Sequence, residues 1–100
     1  MLWVILCVDN PNTAAIREKH LQPHRDYLQS QKPILVLAGA TQSDDGTKAI
    51  GSLFVVNVDS RDKAKAFSDG DPFTQNGVFS SITITRMRKG QWNPEAAEGA

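Results

Sequence analysis

The run Leu2-Trp3-Val4-Ile5-Leu6-Cys7-Val8 is apolar at every position, which predicts an opening strand covered on both faces. Asp9-Asn10-Pro11-Asn12 is turn chemistry that ends it. Thr13 stands where a helix beginning at Ala14 is capped. At about 100° per residue, Arg17, His20, Leu21, His24 and Leu28 share one side of that helix. Two histidines and an arginine therefore lie on the side whose leucines should pack on a sheet. Pro23 interrupts the hydrogen-bond ladder. A kink or break is expected near Gln22, with Pro23 restarting the helix and aiming His24 independently of Arg17.

Lys32-Pro33 closes the helical region, and Ile34-Leu35-Val36-Leu37-Ala38 reads as the second strand, closed by Gly39. Thr41 to Lys48 is polar, with Asp44-Asp45-Gly46 as its turn, so it reads as a hairpin connection to a third strand over Ala49 to Val58. Ser60 suits the cap of a second helix with a small apolar surface of Ala64, Ala66 and Phe67. Gly70 is placed to end that helix in a left-handed conformation. Asp71-Pro72 is then the cap and first turn of a short helix that Gly77 stops after Asn76. Val78 to Met87 alternates, with Ile82 and Ile84 on one side and Thr83 and Thr85 on the other, and forms the fourth strand.

The order β-α-β-β-α-β is the split pattern of α+β, ferredoxin-like folds, with two helices on one face of a four-stranded sheet. Strands one and three are apolar on both faces, so the uncovered face needs a partner. A second copy packed sheet against sheet is the simplest, and a homodimer through the open sheet face is expected. Lys89 to Ala100 is polar after Trp92 and reads as a C-terminal tail, leaving residues 1–88 as one domain.

Eleven basic and eleven acidic residues cancel. A phosphate-binding face needs a basic surplus, so nucleic acid is not expected as a partner, and small, weakly charged ligands or another protein are favoured. Cys7 is the only cysteine, which excludes an intrachain disulfide and fits a reducing compartment. Leu2 to Val8 is too short to span a bilayer and lacks a basic flank and cleavage site, so no membrane partner and a cytoplasmic location are expected.

Asp71 serves as a helix cap on the plain reading; its second oxygen and spare lone pairs also allow it to orient a histidine or exchange a proton with it. His24 is either a hydrogen-bonded core residue or a general base, a task suited to an ordinary pKa of about 6.5. His20 and His24 are four apart, but Leu21-Gln22-Pro23 between them holds no glutamate of the H-E-x-x-H type and distorts the spacing, so no metal site is expected. Arg17 either meets an anionic substrate group or pairs with Glu18, Asp26 or a second subunit. Ser52 has no base beside it in sequence, so a hydrogen bond to a ligand or to His24 is its expected part. Neither Gly39-Ala40-Thr41 nor Gly51-Ser52 has the spacing of a phosphate loop, and no cofactor is expected.

Several short motifs recur in order: Met1-Leu2-Trp3-Val4-Ile5, Asp9-Asn10-Pro11-Asn12, Arg17 followed by Pro23-His24 and Leu28, Leu37-Ala38-Gly39, Gly51-Ser52-Leu53, Ala66-Phe67, Asp71-Pro72-Phe73 and Gly77-Val78-Phe79. Together they resemble the YciI-like (YCII-related) family. The resemblance implies a dimeric α/β barrel similar to muconolactone isomerase, with a cleft between sheet and helices. It implies His24 and Asp71 as the active pair, with Arg17 and Ser52 as further polar positions in the cleft. One branch of that family is similar to dehydrochlorinases of chlorinated hydroxyhydroquinones, which implies proton abstraction and halide loss. This chain carries Glu18-Lys19-His20 where a second arginine often precedes the histidine, and Ala40-Thr41 where a proline often follows the glycine. The expectation is a small cofactor-free lyase or isomerase that uses a His-Asp pair on a small polar aromatic or lactone substrate. The alternative is a non-catalytic dimeric module that binds a small ligand or regulates a larger enzyme.

Overall fold

The opening apolar run forms β1 (Leu2–Asp9) and takes an interior place in the sheet of the computed structural model, which describes residues 1–100. It pairs antiparallel with β3 (Ala49–Asn57) on one side and β4 (Phe79–Met87) on the other, and β2 (Leu35–Gln42) pairs outside β3. The sheet order is β2-β3-β1-β4. Helix α1 (Ala14–Ser30) joins β1 to β2; α2 (Arg61–Gly70) and the single turn α3 (Pro72–Gln75) join β3 to β4. This is the ferredoxin-like α+β fold that the order of elements predicts. Beyond Met87 the chain is exposed, with a 3-10 turn at Pro94–Ala97. No helix is long and apolar enough to cross a membrane.

Strand periodicity sorts the apolar residues into two faces. Trp3, Ile5 and Cys7 of β1 and Phe54 and Val56 of β3 are buried against Ala64 and Phe67 of α2. Burying side chains such as Ile5 and Val56 is worth about 1.5–3 kcal/mol each. On the other face Leu6 is 42% exposed and Leu37 58% exposed, with Val8 also exposed. Ser60 caps α2 by accepting the Lys63 N–H at 3.2 Å.

Several local expectations fail for tertiary reasons. Pro23 neither breaks nor restarts the helix: α1 runs unbroken from Ala14 to Ser30. Pro23 removes the N–H that would meet the Lys19 carbonyl, but both residues are exposed, so water is within reach of the orphaned acceptor. Thr13 does not cap α1 with its side chain; its hydroxyl donates to Asp9 instead. Strand two continues through Gly39 to Gln42, because Ala40, Thr41 and Gln42 keep pairing with Ser52, Gly51 and Ala49. Gly70 is the last residue of α2 and is not left-handed, whereas Gly77 is, at φ +72°. Gly70 instead makes room for Tyr27. A Cβ there would lie 2.5 Å from the Tyr27 hydroxyl oxygen, which donates to the Phe67 carbonyl at 2.7 Å.

Candidate active site

His24 is the one buried residue of helix α1. Its neighbours Arg17, Tyr27 and Leu28 are half-buried. The turn between α2 and α3 delivers Asp71 to the same place. Its extended backbone stops α2, and Pro72 starts α3 at the first helical position. Asp71 Oδ1 accepts the Phe73 N–H at 2.9 Å, which is the capping bond expected of it. The same oxygen lies 2.7 Å from His24 Nδ1. Asp71 is 1% exposed and His24 9%. Cap and histidine partner are thus one carboxylate.

The geometry defines the chemistry of the pair. A carboxylate facing Nδ1 favours the tautomer with its proton on Nδ1 and leaves the Nε2 lone pair available. Nε2 has no partner in the chain and is not among the fully buried unpartnered atoms. The Phe73 ring lies parallel to the imidazole, 3.8 Å between centroids and 8° between planes, and Phe54 meets it edge-on at 6.3 Å. Both rings limit rotation of the imidazole. Asp71 Oδ2 is buried without a partner.

Arg17 lies two turns before His24 on the same side of α1. Its guanidinium clasps Asp9 with two bonds, Nε to Oδ2 and Nη2 to Oδ1, each 2.8 Å. Nη2 also donates to the Gly51 carbonyl at 2.7 Å and to Ser52 Oγ at 3.2 Å. Thus Asp9, not Glu18 or Asp26, is the ion-pair partner of Arg17. The spacing Asp9-x3-Thr13-x3-Arg17 carries the signal, since Thr13 and Arg17 sit one turn apart just after the strand end. Gly51 allows this arrangement: a Cβ there would collide with the Cys7 carbonyl oxygen and lie 2.6 Å from Thr41 Oγ1. The Asp9 carboxyl is pushed upward by burial, but hydrogen bonds from Arg17 and Thr13 outweigh this and hold it below the usual range. Cys7 lies under the same site, and burial, reinforced by the Asp71 charge, pushes its thiol up to about 12. It is a buried, unreactive thiol.

His24, Arg17, Ser52, Phe54 and Phe73 line one cavity of about 280 Å³ between α1 and the β2-β3 hairpin. Ser52 is buried, and its contact in the chain is Arg17 rather than His24. His20 does not line the cavity. Sequence reasoning missed Asp9 and the stacking role of Phe73. A larger recess of about 650 Å³ beside Met1, Arg86 and Lys89 contains no histidine, carboxylate or hydroxyl and offers no acid-base pair.

Comparison with known proteins agrees with this architecture. The YCII-related domain model matches residues 1–88. An uncharacterized protein of Haemophilus influenzae is 27% identical over 97 residues, covering 89% of this chain and 98% of that protein. The structure of 5-chloro-2-hydroxyhydroquinone dehydrochlorinase from Burkholderia phenoliruptrix, in complex with 2,5-dihydroxybenzoquinone, superposes with a TM-score of 0.82 at 28% identity. The likeness covers 90% of this chain and 96% of that one. A Shewanella loihica structure reaches a TM-score of 0.49 at 16% identity, over 87% of this chain and 93% of that one. With a matched span that takes in every strand from β1 to β4, the chain belongs to the YCII-related domain family.

Proposed function

We propose that the protein is a cofactor-free enzyme in which His24 and Asp71 move a proton on a small ring substrate held in the α1 cavity. The 2.7 Å contact between His24 Nδ1 and Asp71 Oδ1, beside a cavity that the histidine itself lines, carries this reading. Nε2 acts as the base, and the Asp71 carboxylate steadies the imidazolium that results. Ser52 donates its hydroxyl to the substrate, since its oxygen already accepts from Arg17. The charge of Arg17 is met by Asp9, so Arg17 offers hydrogen-bond donors rather than a net charge.

The likeness to a dehydrochlorinase supports elimination over simple isomerisation. On a chlorinated hydroxyhydroquinone the sequence balances without an oxidant. A ring hydroxyl proton passes through His24 to the chlorine-bearing carbon, giving a keto tautomer with a saturated C–Cl centre. A second hydroxyl proton is then taken by Nε2. Its electron pair becomes a second carbonyl and the conjugated chloride leaves, for a net loss of HCl. His24→Ala should lower turnover by about 10²–10⁴-fold with the fold intact, since that is the usual contribution of one general base. Full turnover in that variant removes the role. Saturable binding with no chemical change to the ligand in the wild type would instead establish a non-catalytic binding module.

The exposed Leu6, Val8 and Leu37 on the open face of the sheet support a homodimer through that face. Sedimentation should give a dimer for the wild type and a monomer for Leu6→Lys; a monomeric wild type ends the idea.

A further inference from the structure

Three ionisable side chains line the His24 cavity: Arg17, His24 and Arg25. Two are already matched inside the chain. Arg17 is paired with Asp9, and the His24 ring faces Asp71. Arg25 has no ion pair, and none of the nearby acids turns to it; Asp26 receives the Gln22 amide instead. Arg25 also lines the neighbouring groove between α1 and the edge strand β2, where Lys32 is a second cation without an ion pair. The two spaces share Arg25, Leu28 and Ala38 as a common wall. No aspartate or glutamate lines either of them. A chain with zero formal net charge therefore leaves an acid-free lane, with a free guanidinium where the outer groove meets the inner cavity. Low-dielectric walls around charge of one sign raise the local concentration of the opposite sign.

We infer that Arg25 selects anionic, single-ring substrates by taking their oxyanion at the junction of the two spaces while the ring lies beside His24. This departs from the weakly charged ligand that the balanced composition suggests. It rests on reading the His24 cavity as the substrate site. The size fits, because about 280 Å³ lies just below the roughly 300–1,000 Å³ of pockets for drug-sized ligands. Arg25 follows His24 directly on the helix, about 100° around its axis, so one molecule can meet both side chains only if its anionic group and its reacting atom lie on different edges of the ring. The guanidinium geometry suits a carboxylate, or a pair of adjacent oxygens, through two parallel N–H bonds.

The test is calorimetric binding of 2,5-dihydroxybenzoquinone, a vinylogous acid that is anionic at neutral pH, and of its uncharged 2,5-dimethoxy ether. The wild type should favour the anion by about tenfold or more, the range of a charge-assisted hydrogen bond, and the preference should fall with added salt. Arg25→Gln should remove the preference while leaving the ether unchanged, and Arg25→Lys should restore most of it. A preference that survives Arg25→Gln overturns the inference, as does a wild type that binds the ether as well as the anion or binds neither. The outcome separates from the fate of the proton-transfer reading. An Arg25-dependent preference in a protein whose His24→Ala variant retains full turnover keeps the substrate class and discards the base. Turnover that needs His24 but has the same kcat/KM in Arg25→Gln does the reverse.

Discussion

Asp9 and Asp71 are both carboxylates buried against polar side chains of α1, yet they are held in opposite ways. Asp9 is saturated: Thr13 and Arg17 Nε fill one oxygen, and Arg17 Nη2 fills the other. Asp71 has two donors crowded on Oδ1 and none on Oδ2, and its histidine partner keeps a nitrogen free. The difference extends into the field each creates. Apart from burial, the Asp71 charge is the main influence raising the Cys7 thiol, where Arg17 acts in the opposite direction to Asp9. After burial, Asp71 also raises Tyr27, ahead of Asp69. A saturated pair has no spare site for a proton in transit and serves as a brace. An unsaturated pair with an accessible nitrogen retains the capacity to accept and return one.

Breaking the brace should give the largest effect on stability. Asp9→Ala leaves the Arg17 guanidinium, with its side chain 12% exposed, without its counter-charge, and should destabilise by about 3 kcal/mol. Denaturant unfolding measures the loss. Adding Arg17→Met should recover part of it, and an unrelieved loss in the double variant would show that the pair is not the cause. The pH dependence has a definite sign. Asp9 titrates lower in the folded chain than unfolded, so its contribution is present above the ordinary carboxylate pKa and is lost as pH falls through the lower folded value. Asp9→Asn should flatten that part of the acid limb, below the ordinary aspartate value of 3.8. At the other extreme the Cys7 thiol remains protonated when folded up to about 12, so its contribution is lost as pH rises above the ordinary thiol value of 9.0 toward that figure.

Asp71→Asn should act the other way round. Asparagine still offers an oxygen to the Phe73 N–H, so the stability loss should be about 1 kcal/mol or less. Turnover should fall about a hundredfold or more, because a neutral amide does not steady an imidazolium. If Asp71→Asn proves the more destabilising change and leaves turnover intact, the contrast between the two carboxylates is reversed and Asp71 is only a cap.

These two carboxylates also mark what the sequence makes legible. The strands and their order are visible in the apolar runs and the turn residues between them, because those signals are local. The Asp71 cap is visible for the same reason, as Asp-Pro before a helix. The contact between Asp71 and His24 spans 47 residues and has no periodic signature, so only the family resemblance brought the two together. In the sequence Arg17 reads as a partner for a substrate anion, for Glu18 or Asp26, or for a second subunit; its match to Asp9 shows only in the Asp9-x3-Thr13-x3-Arg17 spacing, which crosses a turn rather than following one helix. A shift in register between Val8 and Asp9, where β1 pairs with β4, falls at the point where that carboxylate meets α1. At Pro23 the helix continues unbroken because the orphaned acceptor is within reach of water, which lowers the cost of the ladder defect without removing it.

The smallest expected effect tests how precisely α2 must end for the pair to meet. Gly70 immediately precedes Asp71, and local propensity alone says that Gly70→Ala should stabilise the end of the helix by up to about 1 kcal/mol. The fold says otherwise. The added Cβ would stand 2.5 Å from the Tyr27 hydroxyl oxygen and 2.8 Å from the ring carbon bearing it, so Tyr27 must move and loosen its 2.7 Å bond to the Phe67 carbonyl. The two contributions nearly cancel, and the net change in stability should be within about 1 kcal/mol. The informative readout is the histidine. A small displacement of Asp71 should weaken the Nδ1–H bond of His24, moving its proton resonance upfield and lowering turnover several-fold at unchanged stability. A variant with raised stability, an unmoved resonance and full turnover would mean that the Tyr27 ring yields freely, and that the His24–Asp71 distance is set by α3 and the Phe73 stack rather than by the end of α2.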